Sequence, residues 1–152
     1  MAIYQIVKSE DEILRQKAKE IEEVTPQVCK LLDNLRDTLY ATSYGVGLAA
    51  PQIGISKRAI VVDVDDELFE LINPEVVEQE GLAVDTEGCL SVPGIVGEVI
   101  RAKKVKIRAL NREGEEVVIV ADGLLARAFQ HEIDHLDGIL FIDKAENIRQ
   151  ME

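Results

Sequence analysis

The segment "DGLLARAFQHEIDHLDG", residues 122–138, decides how the rest of the chain is read. Asp122 suits a helix N-cap and Gly138 a helix stop, so the pattern predicts one helix beginning near Gly123 and running through both histidines. His131 and His135 are the only histidines in the chain. Four residues apart on a helix, they differ by about 40° around the axis and share a face, so both imidazoles reach one ion. Glu132 lies about 100° round from His131, too far to ligate beside it but near enough to touch water on that ion, which is a general base's place. Leu124 and Ala128 extend the histidine face toward the amino end, where an apolar side chain would fit. Arg127 is expected to line that pocket with its alkyl stem while its guanidinium reaches water.

Upstream of this helix, Thr25 can cap a second one. Pro26 suits its first position, and Val28, Leu31, Leu32, Leu35 and Leu39 recur at helical spacing. A short first helix is expected around "DEILRQKAKEI". The stretches "RAIVVDV", "LFELINP", "EVVEQEG", "KKVKIRAL" and "EEVVIVA" are β-branched and bounded by turn formers, so each predicts a strand, the last two joined at "NREG". "YGVGLAAPQIG" reads as a loop, and without a following Lys-Ser or Lys-Thr its glycines form no phosphate loop. Helices, then strands, then a helix predict an α+β fold. Mostly antiparallel or mixed sheets would surround the C-terminal HExxH helix, with the other helices N-terminal.

The chain has 152 residues, of which 47% are hydrophobic, the usual size of one compact domain; residues 1–152 are expected to form a single catalytic unit. With 29 acidic against 17 basic residues and a formal charge of −12, direct nucleic-acid binding is not expected. No apolar run approaches the roughly 18 residues of a membrane span, and "MAIYQIVKSEDEIL" does not resemble a signal peptide. A cytoplasmic location follows as the expectation, with Cys29 and Cys89 both free thiols. Cys29, at the flank of the first leucine-rich helix, reads as a space filler.

Two histidines need a third protein ligand. The zinc-hydrolase pattern HExxHxxGxxH is matched at Gly138 but not at its last position, where Phe141 has no donor atom. A second class takes a glutamate from a downstream helix, but after His135 only Glu146 and Glu152 remain, both in the short polar tail "DKAENIRQME". Carboxylates elsewhere and Cys89, in "DTEGCLSVPG", stay open, and the cysteine is favoured because it would give a His₂Cys set with one position left for water. On HExxH alone, an endopeptidase is the competing enzyme reading. A closed structural metal site is the non-catalytic one, and it would need four ligands.

Three segments, "GVGLAAPQ", "EGCLS" and "QHEIDHL", resemble in order and spacing the signature motifs of the peptide deformylase family. The resemblance implies that Cys89, His131 and His135 bind the metal, that Glu132 is the catalytic acid and base, and that Gln52 with the backbone N–H of Leu90 stabilises the oxyanion. It further implies a methionine pocket near Gly45, Val46, Gly47 and Ala128. The implied reaction is hydrolysis of the formyl group from N-terminal formylmethionine of newly made polypeptides, with ferrous iron as the ion and zinc, nickel or cobalt able to replace it. Transient association with the ribosome is compatible with this, although an acidic surface and the tail "AENIRQME" offer no evident docking helix. Glu87 and Arg101 are expected to pair near the site, and Gln130 to orient the metal-binding segment.

Overall fold

A computed structural model describes residues 3–42 and 45–151. Helix α1 (Pro26–Tyr40) begins where Thr25 Oγ1 accepts the Val28 N–H at 3.3 Å. Its leucine stripe is buried as the spacing requires: Val28, Leu31, Leu32, Leu35 and Leu39 all face inward. The shorter helix expected before it does not form. Only a 3-10 turn, Glu12–Arg15, is present, and Gln16 is already extended at φ −91°, ψ 150°. Leu14 is the one buried residue of that turn, too little to hold a longer helix. Tertiary bonds instead draw the chain out straight, Ala18 N–H donating to Leu136 O at 2.8 Å and Arg58 N–H to Lys19 O at 3.0 Å.

Six strands follow: β1 (Gly47–Ala49), β2 (Ala59–Val64), β3 (Glu67–Cys89), β4 (Val92–Leu110), β5 (Glu116–Asp122) and, after helix α2 (Gly123–Leu136), β6 (Glu146–Gln150). They hydrogen-bond in the order β1-β2-β3-β4-β5, with β6 on β4, and every strand pairing among them is antiparallel rather than mixed. β2 turns into β3 through Asp65 and Asp66, both left-handed at φ 56° and 63°, the backbone of a two-residue hairpin turn.

The stretches "LFELINP" and "EVVEQEG", expected as two strands, are one. Asn73 at φ 51° and Pro74 sit in a register shift between Ile72 and Glu75 that bends β3 without ending it. Asn73 secures the bend by accepting from Ile21 N–H at 2.9 Å and donating to Ile21 O at 2.7 Å. β3 and β4 then run as a long ribbon whose tip, at Leu90 and Ser91, follows Cys89 directly. The expected loop at "YGVGLAAPQIG" likewise contains the short β1 and a 3-10 turn, Ala50–Ile53; Tyr44 lies outside the described residues. The C-terminal tail is a strand because the edge of β4 pairs with it, Ile95 opposite Gln150 and Val96 opposite Arg149.

β2 explains how the layers meet. Ile60 and Val62 join the cluster containing Ala126, Phe129, Ile133 and Leu136 of α2, while Ala59 and Val61 join the cluster of α1 leucines. A strand covered on both faces needs the continuous apolar run that "AIVVDV" supplies. The sheet therefore holds α2 rigidly on one face and presents its histidine side to β1 and the ribbon tip. Among the described residues, no helix is long and apolar enough to cross a membrane.

Candidate active site

α2 starts at Gly123 (φ 58°), with Asp122 at the N-cap position but making no side-chain cap bond, and ends where Gly138 turns left-handed at φ 75°. Between these ends one face enters the core and the other carries His131, Glu132 and His135. Donor atoms of Cys89, His131 and His135 all lie within 4.8 Å of one another. Cys89 Sγ is 3.4 Å from His135 Nε2, and the two imidazole centroids are 5.0 Å apart. Glu87 Oε1 lies 2.9 Å from His131 Nδ1, which leaves Nε2 as the nitrogen available on the other edge of that ring. One thiol and two imidazoles facing a common point suit a divalent transition metal, which takes such donors at about 2.0–2.3 Å.

Glu132 is buried, and its Oε1 finds no hydrogen-bond partner among the described residues. Burial pushes its carboxyl up to about 7, against the pull of His131 and Arg101. Desolvation likewise disfavours a charge on His131, yet the Cys89 thiol and Glu87 overcome it and raise the imidazole to about 10. His135 moves the other way, held well below the ordinary value by burial and by the charge of its neighbour. Glu87 stays ionised far below the usual carboxylate range: burial opposes this, but His131 and Arg101 outweigh it.

The Glu87 carboxylate is the hub behind the site. It accepts from Arg101 Nε at 2.6 Å and Nη2 at 2.8 Å, and from Arg127 Nη1 at 2.6 Å. Arg127 therefore departs from its expected placement. Its guanidinium turns inward, donating also to Val99 O at 3.0 Å and Ala83 O at 2.9 Å, because an ionised Glu87 is a better partner than water. Arg101 further reaches Asp134 Oδ2 at 2.9 Å. Gln130 clamps α2 to β4, accepting from Ala102 N–H at 3.0 Å and donating to Ala102 O at 2.9 Å.

A cavity of about 300 Å³ opens in front of these groups. Gly45, Val46, Gly47 and Ala128 line it, as do Gln52, Leu90, Cys89, His131 and Glu132, whereas His135 lies behind its wall. Gln52 is held by Ala49 N–H donating to its Oε1 at 2.9 Å, and its Nε2 points to Ser91 Oγ at 3.1 Å and Cys89 Sγ at 3.6 Å. Ser91 and Asp134 take part in this framework with no motif in the sequence pointing to either. Each acts across the fold, and the only local signs are that Ser91 lies two residues after Cys89 and that Asp134 precedes His135.

The polypeptide deformylase family model matches residues 3–151. The chain belongs to that family. Among deformylase relatives, the peptide deformylase of Carboxydothermus hydrogenoformans is 66% identical over 148 residues, covering 97% of each chain. The crystal structure of the Thermotoga maritima peptide deformylase superposes with a TM-score of 0.92 at 41% identity, over 96% of this chain and 99% of that one. The Legionella pneumophila peptide deformylase gives 0.91 at 44% identity, over 96% and 88%. The deformylase fold is thus the α+β arrangement described above, with the C-terminal helix against an antiparallel sheet.

Proposed function

We propose that this deformylase, working as one catalytic domain, hydrolyses the N-formyl group of N-terminal formylmethionine on newly made polypeptides, releasing formate. The observation that carries the assignment of roles is Glu132: a buried carboxylate with an unpartnered oxygen, placed in the cavity wall beside His131 and Cys89. Cys89, His131 and His135 hold the ion, which is ferrous iron in this reading, with zinc, nickel or cobalt as replacements suited to the same thiolate and imidazole donors. When bound, the cation supplies Lewis acidity, making water nucleophilic near neutral pH and polarising the formyl carbonyl.

The chain's own groups do the rest. Glu132 accepts the proton of the attacking water and delivers it to the departing amine nitrogen, a two-way task that suits a carboxyl raised to about 7. Gln52 Nε2, fixed through its Oε1, and the Leu90 backbone N–H donate to the oxygen that becomes negative; losing one such donor costs about 10² to 10³ in rate. Val46 and Ala128 receive the methionine side chain, and Gly45 and Gly47 border the same space. Glu87 holds His131 in orientation through Nδ1. Substrates arriving as nascent chains imply a cytoplasmic location and only transient encounters with the ribosome.

Replacing Glu132 with Gln keeps size and polarity but removes the base. Formate release from formyl-Met peptides should fall by at least about 10²-fold while metal content, measured on the same samples, stays near stoichiometric. A metal-loaded variant with full activity would reject Glu132 as the base.

A further inference from the structure

Two backbone bonds tie the segment ahead of α1 to the residues assigned as oxyanion donors. Residues 3–8 form neither helix nor strand, so their amides bond to other parts of the fold. Val7 N–H donates to Gln52 O at 2.8 Å, and Ser9 N–H donates to Ser91 O at 2.9 Å. The first bond holds the 3-10 turn that carries Gln52, the second the ribbon tip that carries Leu90. These carriers are distant in sequence, yet the amides that grip them are two residues apart, and two residues of chain span at most about 7 Å.

The segment is itself fastened on either side of these bonds. Tyr4 N–H donates to Thr38 Oγ1 of α1 at 2.9 Å, and Asp11 N–H donates to Lys8 O at 2.9 Å where Asp11 caps the turn at Glu12. Between them Ile6, like Leu90, packs against the cluster of α1 leucines, Ala50 and Ile53. Gln52 Nε2 also bonds to Ser91 Oγ at 3.1 Å, so a turn and a tip that slide past one another pull this amide out of line.

We propose that Val7 and Ser9 are positioning residues for the oxyanion site. Their backbone N–H groups set the spacing between the Gln52 turn and the ribbon tip, so that Gln52 Nε2 and the Leu90 N–H converge on one oxygen. Neither residue lines the cavity, and each reaches the chemistry only through those donors. The proposal rests on the deformylase reading and on the roles it gives Gln52 and Leu90. Two donors meeting at one atom tolerate little relative movement, and a displacement of a fraction of an ångström costs about tenfold in rate.

Proline at either position deletes the N–H. In metal-loaded full-length enzyme acting on formyl-Met-Ala-Ala, Val7→Pro should lower kcat about tenfold and leave KM within about twofold, since the methionine pocket is untouched. In a Gln52→Ala background the same substitution should lower kcat by less than about twofold, because the donor it positions is already gone. A merely structural effect would persist there in full. Ser9→Pro should also lower kcat about tenfold at constant KM, and it carries the test if melting temperatures show that Val7→Pro is not folded. Folded variants with wild-type kcat would overturn the proposal, as would a loss borne by KM or one that persists undiminished without Gln52. A Gln52→Ala enzyme with wild-type kcat would remove the donor and this proposal together. A wild type inactive on every formylated peptide would instead sink the deformylase reading itself.

Discussion

Gly47 and Glu132 touch with no room to spare: a Cβ at Gly47 would lie 2.7 Å from Glu132 Oε2 and 2.9 Å from its Cγ. The backbone of β1 is extended there, so glycine is needed for clearance rather than for its torsion angles. Gly47→Ala must push the carboxylate aside. Because misplacement of a reacting group by about 1 Å costs on the order of 10²-fold, kcat for formate release should drop by that amount. Thermal melting should show a fold otherwise intact; unchanged kcat would mean that the Glu132 position is not critical.

Glu87 serves two arginines and a histidine at once. Glu87→Ala leaves Arg127 and part of Arg101 buried without their anion, and the loss should be about 3–5 kcal/mol in denaturant unfolding. The milder Glu87→Gln should fold better but hold His131 less firmly, weakening metal affinity by about 10- to 100-fold in a chelator competition. Equal affinity for wild type and Glu87→Gln would remove Glu87 from the positioning role.

Acid stability should carry the mark of Asp143. Its carboxylate accepts from Arg15 Nη1 at 2.5 Å and from the Leu140 N–H at 3.0 Å, and these outweigh burial to hold it below the ordinary value. A depressed folded-state pKa means stability that is present above the unfolded value of about 3.9 and is lost as pH falls through the folded one. Asp143→Asn should therefore be less stable than wild type at neutral pH. The pair is well exposed, so the gap should stay within about 1 kcal/mol. In urea unfolding across acidic pH the gap should start to close below about pH 4 and vanish once pH has fallen past the folded-state value; a gap unchanged across that range would show that charge is not its source.

Gly138 closes α2 three residues beyond His135. Its φ is +75°, and a Cβ there would sit 2.6 Å from Arg15 O, a backbone atom with no rotamer to yield. Gly138→Ala combines left-handed strain with that clash and should cost at least about 2 kcal/mol, lowering the melting temperature by several degrees. Tolerance of the alanine would indicate that the 12–16 segment is free to move away.

What was legible in the sequence was local. The face shared by His131 and His135, the Thr25 cap and the Gly138 stop depend on neighbours within a turn or two, and α2 formed as its periodicity required. Cys89 is less legible, since nothing in "EGCLS" alone marks a donor and only the resemblance to the family's motif assigns it to the ion. The joining of "LFELINP" to "EVVEQEG" was hidden because Asn73-Pro74 looks like a break, and only the Asn73 bonds to Ile21 show how the strand survives it. The inward turn of the Arg127 guanidinium is hidden for a similar reason: its carboxylate partner is 40 residues away in sequence. β6 has a polar sequence with every residue exposed, so its strand character is imposed by the edge of β4.

Cys89 and His135 stand 46 residues apart in sequence and 3.4 Å apart in space. An ion gripping both would act as a reversible crosslink, staple the ribbon tip to the last helix, and add free energy of folding in proportion to the logarithm of its concentration over its dissociation constant. Starvation for metal would then do more than silence the chemistry. It would loosen the closure of that long loop and expose the chain to proteases, so that the abundance of the protein, as well as its turnover number, would follow the metal supply.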